Sequence, residues 1–118
     1  MEKQNAISAL VSLAHETRLD IFRMLVRAGR SGMAAGAVAD ALDVPASTLS
    51  FHFKELKVSG VVRCRREGRS LIYSANFESM TDLVNFLTEN CCEGEGEGLV
   101  DCGQPTAKDL STQAKKRA

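Results

Sequence analysis

Apolar residues recur every three or four positions along several stretches of the chain, a spacing typical of amphipathic helices. The predicted helices cover residues 4–13, about 15–28, 34–42, 46–58 and 77–90. In the fourth helix, Leu49, Phe53 and Leu56 recur at i, i+4 and i+7, so they share one buried stripe. Gly60 then stops this helix, and the chain changes to shorter apolar segments.

Those shorter segments predict a β-hairpin. Residues 61–63 and 70–73 are apolar, strand-like runs that flank an arginine-rich turn at 65–69, in which Gly68 supplies a positive φ. The helix pair before them reads as a helix-turn-helix. We therefore expect a mainly helical fold with a small β-hairpin, which is a winged helix-turn-helix.

Three of the helices carry apolar faces with different expected partners. The second is predicted to bury Leu19, Phe22, Leu25 and Val26. The first presents Ile7, Leu10 and Val11 on one face, and the last presents Phe77, Met80, Leu83, Val84 and Leu87. The last helix carries more apolar surface than the end of so small a domain needs. We interpret it, with the first helix, as a homodimer surface; the alternative is that it only closes the core.

The face of the 46–58 helix opposite its buried stripe carries the residues suited to a ligand. That face holds Ser47, Thr48, Phe51, Lys54 and Glu55, with Ser50 and His52 at its margins. Short hydroxyls and a base near a helix N-terminus suit phosphates and base edges in a major groove. This arrangement predicts that the helix reads double-stranded DNA.

Charge is distributed unevenly, although the formal net charge is zero. Residues 44–75 hold six Lys or Arg and two acids, whereas residues 76–101 hold seven acids and no base. A basic segment followed by an acidic one favours nucleic-acid binding confined to the first. A winged helix used only for protein–protein contacts is the alternative, and it predicts no salt-dependent DNA affinity.

Length and composition indicate one modest domain. We expect a winged-helix DNA-binding and dimerisation domain over residues 1–92, then a flexible acidic, Gly-rich tail over 93–118 that carries Cys102. No apolar run approaches the ~20 residues of a membrane span, so we expect a cytoplasmic protein with no membrane partner and reduced thiols. No phosphate loop, catalytic carboxylate pair or Cys-His dyad occurs, which argues against an enzyme and against an organic cofactor.

Cys91, Cys92 and Cys102 cluster after the last helix. Three thiolates without a fourth ligand suit a soft ion with a lone pair, As(III) or Sb(III), whereas Zn(II) needs one more Cys or His. The site could lie within one chain or between two, and an organoarsenical is a further candidate. A thiol–disulfide switch and inert thiols are the alternatives. Cys64, in the first hairpin strand, is expected to be a small buried hydrophobe.

Three segments in order, residues 13–19, 47–56 and 60–69, resemble the ArsR/SmtB family of bacterial winged-helix repressors. The resemblance spans about residues 5–90 and implies a homodimer that leaves operator DNA when an inducer binds. It implies DNA contacts from Ser47, Thr48, Ser50, Phe51, His52 and Lys54, and wing contacts from Arg65, Arg66 and Arg69.

Two departures from the family pattern concern the metal sites. Many arsenic sensors carry a Cys-x-Cys pair where this chain has residues 34–38, and no cysteine occurs there. Zinc and cobalt sensors use Asp, His and Glu on the last helix, and residues 77–90 contain no histidine. The C-terminal cysteines resemble those of members that place their arsenic ligands at that end.

Overall fold

The computed structural model describes residues 1–94. In that range it contains five helices and a three-stranded antiparallel sheet. Their order is α1 (Lys3–Leu13), α2 (Glu16–Ala28), β1 (Met33–Ala34), α3 (Ala35–Leu42), α4 (Ala46–Val58), β2 (Val62–Glu67), β3 (Ser70–Ala75) and α5 (Phe77–Thr88). The predicted fold class is confirmed: a mainly helical winged helix-turn-helix. The chain divides after Leu87 into two units, Met1–Leu87 and Thr88–Ala118, and the predicted boundary at residue 92 stays a prediction.

The core of the first unit lies between α2, α3, α4 and the base of the sheet. Leu49, Phe53 and Leu56 are buried, as their spacing predicts. Phe53 also stacks on Tyr73 of β3, with ring centroids 3.7 Å apart and planes 7° from parallel. Each such buried side chain contributes about 1.5–3 kcal/mol to the stability of the fold. Because these residues contact both helices and sheet, both fix the inner face of α4.

The prediction that Leu19 is buried is wrong. Leu19 is 43% exposed, and Ile21 takes its place in the core beside Phe22 and Leu25. At about 100° per residue, Leu19 lies roughly 200° before Ile21 around α2. The two residues therefore face opposite sides of the helix, and the buried arc is centred on Ile21 and Leu25.

α1 buries its small residues and exposes three large apolar ones. Ala6, Ala9 and Ser12 are buried, and they recur at a spacing of three, so one narrow helix face packs closely. Ile7, Leu10 and Val11 are exposed, whereas Leu13 packs against the core. Within residues 1–94, no core covers the three exposed side chains.

The sheet differs from the predicted hairpin in two ways. A short strand, β1, was not predicted; Met33 pairs with Tyr73 and Ala34 with Ile72, so the strand order is β1-β3-β2. The predicted arginine-rich turn is also wrong, because β2 continues to Glu67 and the turn is only the two residues after it. Gly68 opens that turn at φ 65°, as a type II′ hairpin prefers. Arg65 and Arg66 therefore project from a strand.

α5 packs against the core with only part of its apolar stripe. Phe77, Met80 and Leu83 contact the core cluster. Val84 and Leu87 are 53% and 57% exposed. The helix ends at Thr88, two residues before the predicted end. The first turns of α5 thus close the core and its last turns leave apolar surface exposed; its part in a homodimer surface stays a prediction.

Among the helices formed by residues 1–94, none combines the length and the apolar character that crossing a membrane requires.

Candidate DNA-binding surface and thiol site

The turn between α3 and α4 sets the angle at which α4 emerges. Asp43 ends α3 in the left-handed region at φ 56°. Pro45 precedes the first residue of α4, and its carbonyl accepts the first helical hydrogen bond from Leu49 N–H at 2.9 Å. No side chain among residues 1–94 caps the first turn of α4. Its N–H groups are therefore available to an anion such as a phosphate.

The outer face of α4 is open, as predicted. Ser47, Thr48, Ser50, Phe51 and Lys54 are all exposed. Phe51 is a large aromatic side chain with 53% of its surface in solvent, so the ring is accessible to a partner. Hydroxyls, one ammonium and one aromatic ring on a protruding helix can contact phosphates, base edges and thymine methyl groups.

The expected position of His52 on this face is wrong. His52 is only 6% exposed, and its Nδ1 accepts a hydrogen bond from Arg18 Nε at 3.2 Å. The reason is its place in the helical repeat: Leu49, His52, Phe53 and Leu56 stand at i, i+3, i+4 and i+7, which is a complete inward stripe. Burial and the charges of His15 and Arg18 lower the pKa of His52.

The arginines of the wing, defined here as β2, β3 and their turn, are held differently from one another. Arg65 Nε donates to Glu67 Oε2 at 2.7 Å, and its Nη2 donates to the Ser31 carbonyl at 2.9 Å. Arg66 and Arg69 are exposed near the tip. Arg65 is therefore fixed and partly neutralised, whereas the tip arginines are placed to reach a negatively charged groove.

A groove separates α4 from the wing, and sequence reasoning missed two of its residues. Its volume is about 390 Å³, and its lining includes Ser50, Lys54, Lys57 and Tyr73. Lys57 follows Lys54 by three positions and so shares its face, a signal present in the sequence. Burial, followed by the hydrogen bond and charge of Cys64, raises the pKa of Tyr73. Tyr73 thus keeps its hydroxyl proton, and it shares the lining of the groove with Lys54 and Lys57.

A carboxylate joins the start of α5 to the wing. Glu78 lies 3.3 Å from both Arg30 and Arg63, through its two different oxygens. Its own backbone hydrogen bond at the helix start, then the charges of Arg30 and Arg63, lower the pKa of Glu78. The three side chains are more than half exposed, so this link orients α5 more than it stabilises the fold.

Cys91 and Cys92 follow the end of α5 and lie together. Their Sγ atoms are 3.4 Å apart, and one thiol donates to the other. The backbone turns here, with the Cys91 N–H bonded to the Thr88 carbonyl at 2.9 Å and Cys92 at φ 65°. The turn places both sulfurs on the same side, which two adjacent residues inside a helix could not achieve.

The third predicted thiol, Cys102, lies outside the described residues. Within residues 1–94, no group of three or more His, Cys, Asp or Glu side chains could hold a metal ion. Cys64 is half-buried on β2, opposite Tyr73. The predicted three-cysteine ligand set stays a prediction of which the structure describes two members.

Known proteins resemble this chain along most of the described range. A family model described as a helix-turn-helix domain matches residues 13–65. The HTH-type transcriptional regulator YceK of Bacillus subtilis is 31% identical over 77 residues, which cover 64% of this chain and 76% of YceK. These relatives are transcription regulators and not enzymes.

Two solved structures share the fold. An ArsR-like transcriptional regulator from Rhodococcus sp. RHA1 superposes with a TM-score of 0.68 at 25% identity, covering 86% of this chain and 92% of that one. The homodimeric winged helix-turn-helix DNA-binding domain of Mb0332 from Mycobacterium bovis gives 0.60 at 26% identity, covering 78% and 85%. The arrangement of α3, α4 and the wing agrees with these matches, and the chain belongs to the ArsR/SmtB family of winged helix-turn-helix transcription regulators.

Proposed function

We propose that this protein is a homodimeric repressor that binds a pseudo-palindromic operator, with one α4 in the major groove of each half-site. The observation that carries the proposal is the two-sided character of α4. Its inner side is fully packed, while Ser47, Thr48, Ser50, Phe51 and Lys54 stand exposed on the outer side. The tip arginines Arg66 and Arg69, with Arg65 held behind them, then meet the adjacent minor groove. A DNA-bound regulator of this kind works in the cytoplasm.

The homodimer is supported by apolar surface that the first unit leaves uncovered. Ile7, Leu10 and Val11 on α1 are exposed, as are Val84 and Leu87 on α5. A second copy of the chain would cover both stripes symmetrically. The Mycobacterium bovis relative is a homodimer with the same fold. Two copies would also give two reading helices, as a palindromic site requires.

The proposed inducer is As(III) or Sb(III), bound by Cys91, Cys92 and Cys102. Two sulfurs 3.4 Å apart are close enough to bind one ion together, with metal–sulfur bonds of about 2.3 Å. Three thiolates without a fourth ligand suit a pyramidal ion with a lone pair, whereas zinc needs one more Cys or His.

Release of DNA requires only a difference in affinity. If the inducer binds the free dimer more tightly than the DNA-bound dimer, the operator is vacated by linkage. α5 is the connecting element in this proposal, because it leads from the Glu78 link with the wing to the cysteines that follow its end.

The second candidate is a thiol–disulfide switch on the same fold. Two thiols 3.4 Å apart support it, with Cys102 as the partner of one of them, because adjacent Cα atoms about 3.8 Å apart are too close for an ordinary disulfide between Cys91 and Cys92. Each bond formed removes two protons and two electrons, which an oxidant such as diamide takes up. A winged helix that binds only protein is the third candidate, and it binds no DNA.

Operator release tests these candidates. A duplex selected by the protein from random DNA is labelled, and its fluorescence anisotropy is followed under reducing conditions as arsenite, antimonite or Zn(II) is added. Diamide is added in a separate sample without reductant. Wild type is compared with Cys91→Ser, Cys92→Ser and Cys102→Ser, and Cys64→Ser serves as the matched control.

We expect arsenite or antimonite to release operator DNA from wild type and from Cys64→Ser. The other three variants should keep the DNA bound. Release by diamide alone would instead establish the redox switch. If neither the arsenic and antimony compounds nor diamide releases the DNA, the protein binds DNA and its thiols are inert. Absence of DNA binding at every salt concentration would contradict the repressor.

A further inference from the structure

A buried polar contact lies directly behind the reading face of α4. His52 stands between Phe51, which faces out, and Phe53, which faces the core. Its Nδ1 accepts the 3.2 Å hydrogen bond from Arg18 Nε. The side chain is nearly inaccessible, so it does not touch DNA itself. It can act on DNA only through the position of α4.

Arg18 connects this histidine to two further elements. Its Nη1 donates to the Ser12 carbonyl at the end of α1, at 3.3 Å. Its guanidinium carbon lies 5.9 Å from the centre of the Phe51 ring, within cation–π range. One side chain from α2 thus joins α1, the buried side of α4 and the exposed aromatic ring of the reading face.

The hydrogen bond exists in only one protonation state of His52. Nδ1 can accept from Arg18 only while it carries no proton. A proton on His52 Nδ1 would make both Nδ1 and Arg18 Nε donors, which cannot hydrogen-bond to each other. It would also place the positive charges of His52 and Arg18 at hydrogen-bond distance. His52 must then leave Arg18, and the hydrogen bond that fixes α4 breaks.

The charged groups around His52 add to this sensitivity. From the α1–α2 turn, the His15 ring lies 4.7 Å from that of His52, and its own Nδ1 accepts from Thr17 N–H at 3.1 Å. Arg18 approaches His52 from α2. From α4 itself, Glu55 lines with Arg18 a cavity of about 240 Å³ between α1 and α4. That carboxylate offers Arg18 another partner once His52 is protonated.

We propose that Arg18 and His52 are positioning residues that lock α4 in its DNA-reading orientation, and that protonation of His52 opens the lock. This inference rests on the proposed operator binding and adds a proton as a second effector. It predicts that operator affinity falls as the pH falls. A histidine in direct contact with DNA would do the opposite, because its added charge would strengthen phosphate binding.

The test is operator affinity between about pH 5.5 and about pH 7.5 at constant ionic strength, a range in which histidine is the side chain that ordinarily titrates. The chain has two histidines. Wild type should lose affinity toward low pH, approaching about tenfold per pH unit for each linked proton. His52→Asn keeps an acceptor at the position of Nδ1 but cannot be protonated, so its affinity should not fall toward low pH.

His15→Asn is the matched control, because asparagine keeps an acceptor for the Thr17 N–H that caps α2. It removes the other histidine, so the loss of affinity should persist and move to slightly higher pH, because the charge of His15 no longer opposes protonation of His52. Arg18→Gln lacks the lock at every pH, so it should bind weakly at neutral pH and show no further loss of affinity from unlocking toward low pH. Circular dichroism at each pH should show unchanged helix content, whereas a parallel loss of helix would mean unfolding and overturn the lock.

The two levels of the proposal fail in different ways. Wild-type affinity that is constant, or that rises toward low pH, would overturn the lock while leaving operator binding intact. A loss of affinity toward low pH that survives in His52→Asn would overturn it as well. Absence of DNA binding at every pH would overturn the proposed function itself.

Discussion

α4 and α5 show the same helical spacing of apolar residues but differ in how completely the chain buries that spacing's face. α4 buries four residues of its stripe, Leu49, His52, Phe53 and Leu56. α5 buries none completely, and its last apolar residues, Val84 and Leu87, remain more than half exposed. Periodicity therefore identifies the face that needs a partner. It does not say whether the partner lies in the same chain.

The difference assigns separate tasks to the two helices. The inner side of α4 is satisfied by its own chain, so its polar outer side is free to meet DNA. The uncovered stripe of α5 points to a second copy of the protein. Substitutions can test this division of tasks. In order of decreasing expected effect, they change the inner packing of α4, the exposed apolar surface of α5 and a charged residue on each helix.

The largest effect is expected from Leu56→Ala. Leu56 is fully buried, and removing such a side chain leaves a cavity that costs about 2–5 kcal/mol. Val58→Ala on the same helix is the control, because Val58 is 77% exposed and should change stability by less than about 0.5 kcal/mol. Urea unfolding followed by circular dichroism measures both. Equal losses would contradict the assignment of the two faces.

Leu87→Glu should break the dimer and leave the fold intact. A charge placed in an apolar interface should cost about 2 kcal/mol or more, which weakens self-association about thirtyfold or more. Asn85→Glu adds the same charge to the polar side of α5 and should leave association unchanged. Analytical ultracentrifugation gives the dissociation constants. A Leu87→Glu protein that dimerises like wild type would remove α5 from the interface.

Lys54→Gln should weaken DNA binding without affecting dimerisation. Each lysine–phosphate ion pair contributes about 0.9 to the slope of log affinity against log salt, and a dimer loses two pairs, so the slope should fall by about 1.8 in magnitude. Lys57→Gln should act alike if the groove beside the wing holds a phosphate. Lys3→Gln, at the start of α1, is the matched control for the removal of an exposed lysine. An unchanged slope in Lys54→Gln would contradict the orientation of α4.

The smallest effect is expected from Glu78→Gln at the start of α5. The folded state lowers the pKa of Glu78, so its contribution is present above the unfolded pKa and is lost as pH falls through the folded one. The Tm difference between wild type and variant should be small at neutral pH and vanish in acid. High salt should shrink it too. A difference that grows in acid would contradict this sign.

The sequence predicts those parts of the fold that carry one strong local signal, either a helical period of apolar residues or a glycine in a turn. The stripe of α4 and the glycine of the wing turn are examples, and both are confirmed. β1 could not be predicted, because Met33 and Ala34 are too few to show alternation; their strand is set by pairing with β3. Gly32 does signal that approach, since a Cβ there would overlap the Tyr73 carbonyl oxygen.

The candidate site was predictable to a different degree. Exposed hydroxyls and bases on α4 follow from the helical wheel. His52 was misplaced because a polar residue at i+3 of a buried stripe resembles a margin residue until its partner is known, and Arg18 lies 34 positions away. Lys57 and Tyr73 were missed because the groove they line forms only when the wing folds beside α4.

The most direct test of the central claim is selection of binding sites from a random DNA pool by the wild-type protein. A dimer with one α4 per half-site should select an inverted repeat, with half-site centres about one helical turn (~34 Å) or a multiple of it apart. Two protomers should bind each site. Selection of a single unrepeated half-site by a monomer, or of no sequence at all, would contradict the account.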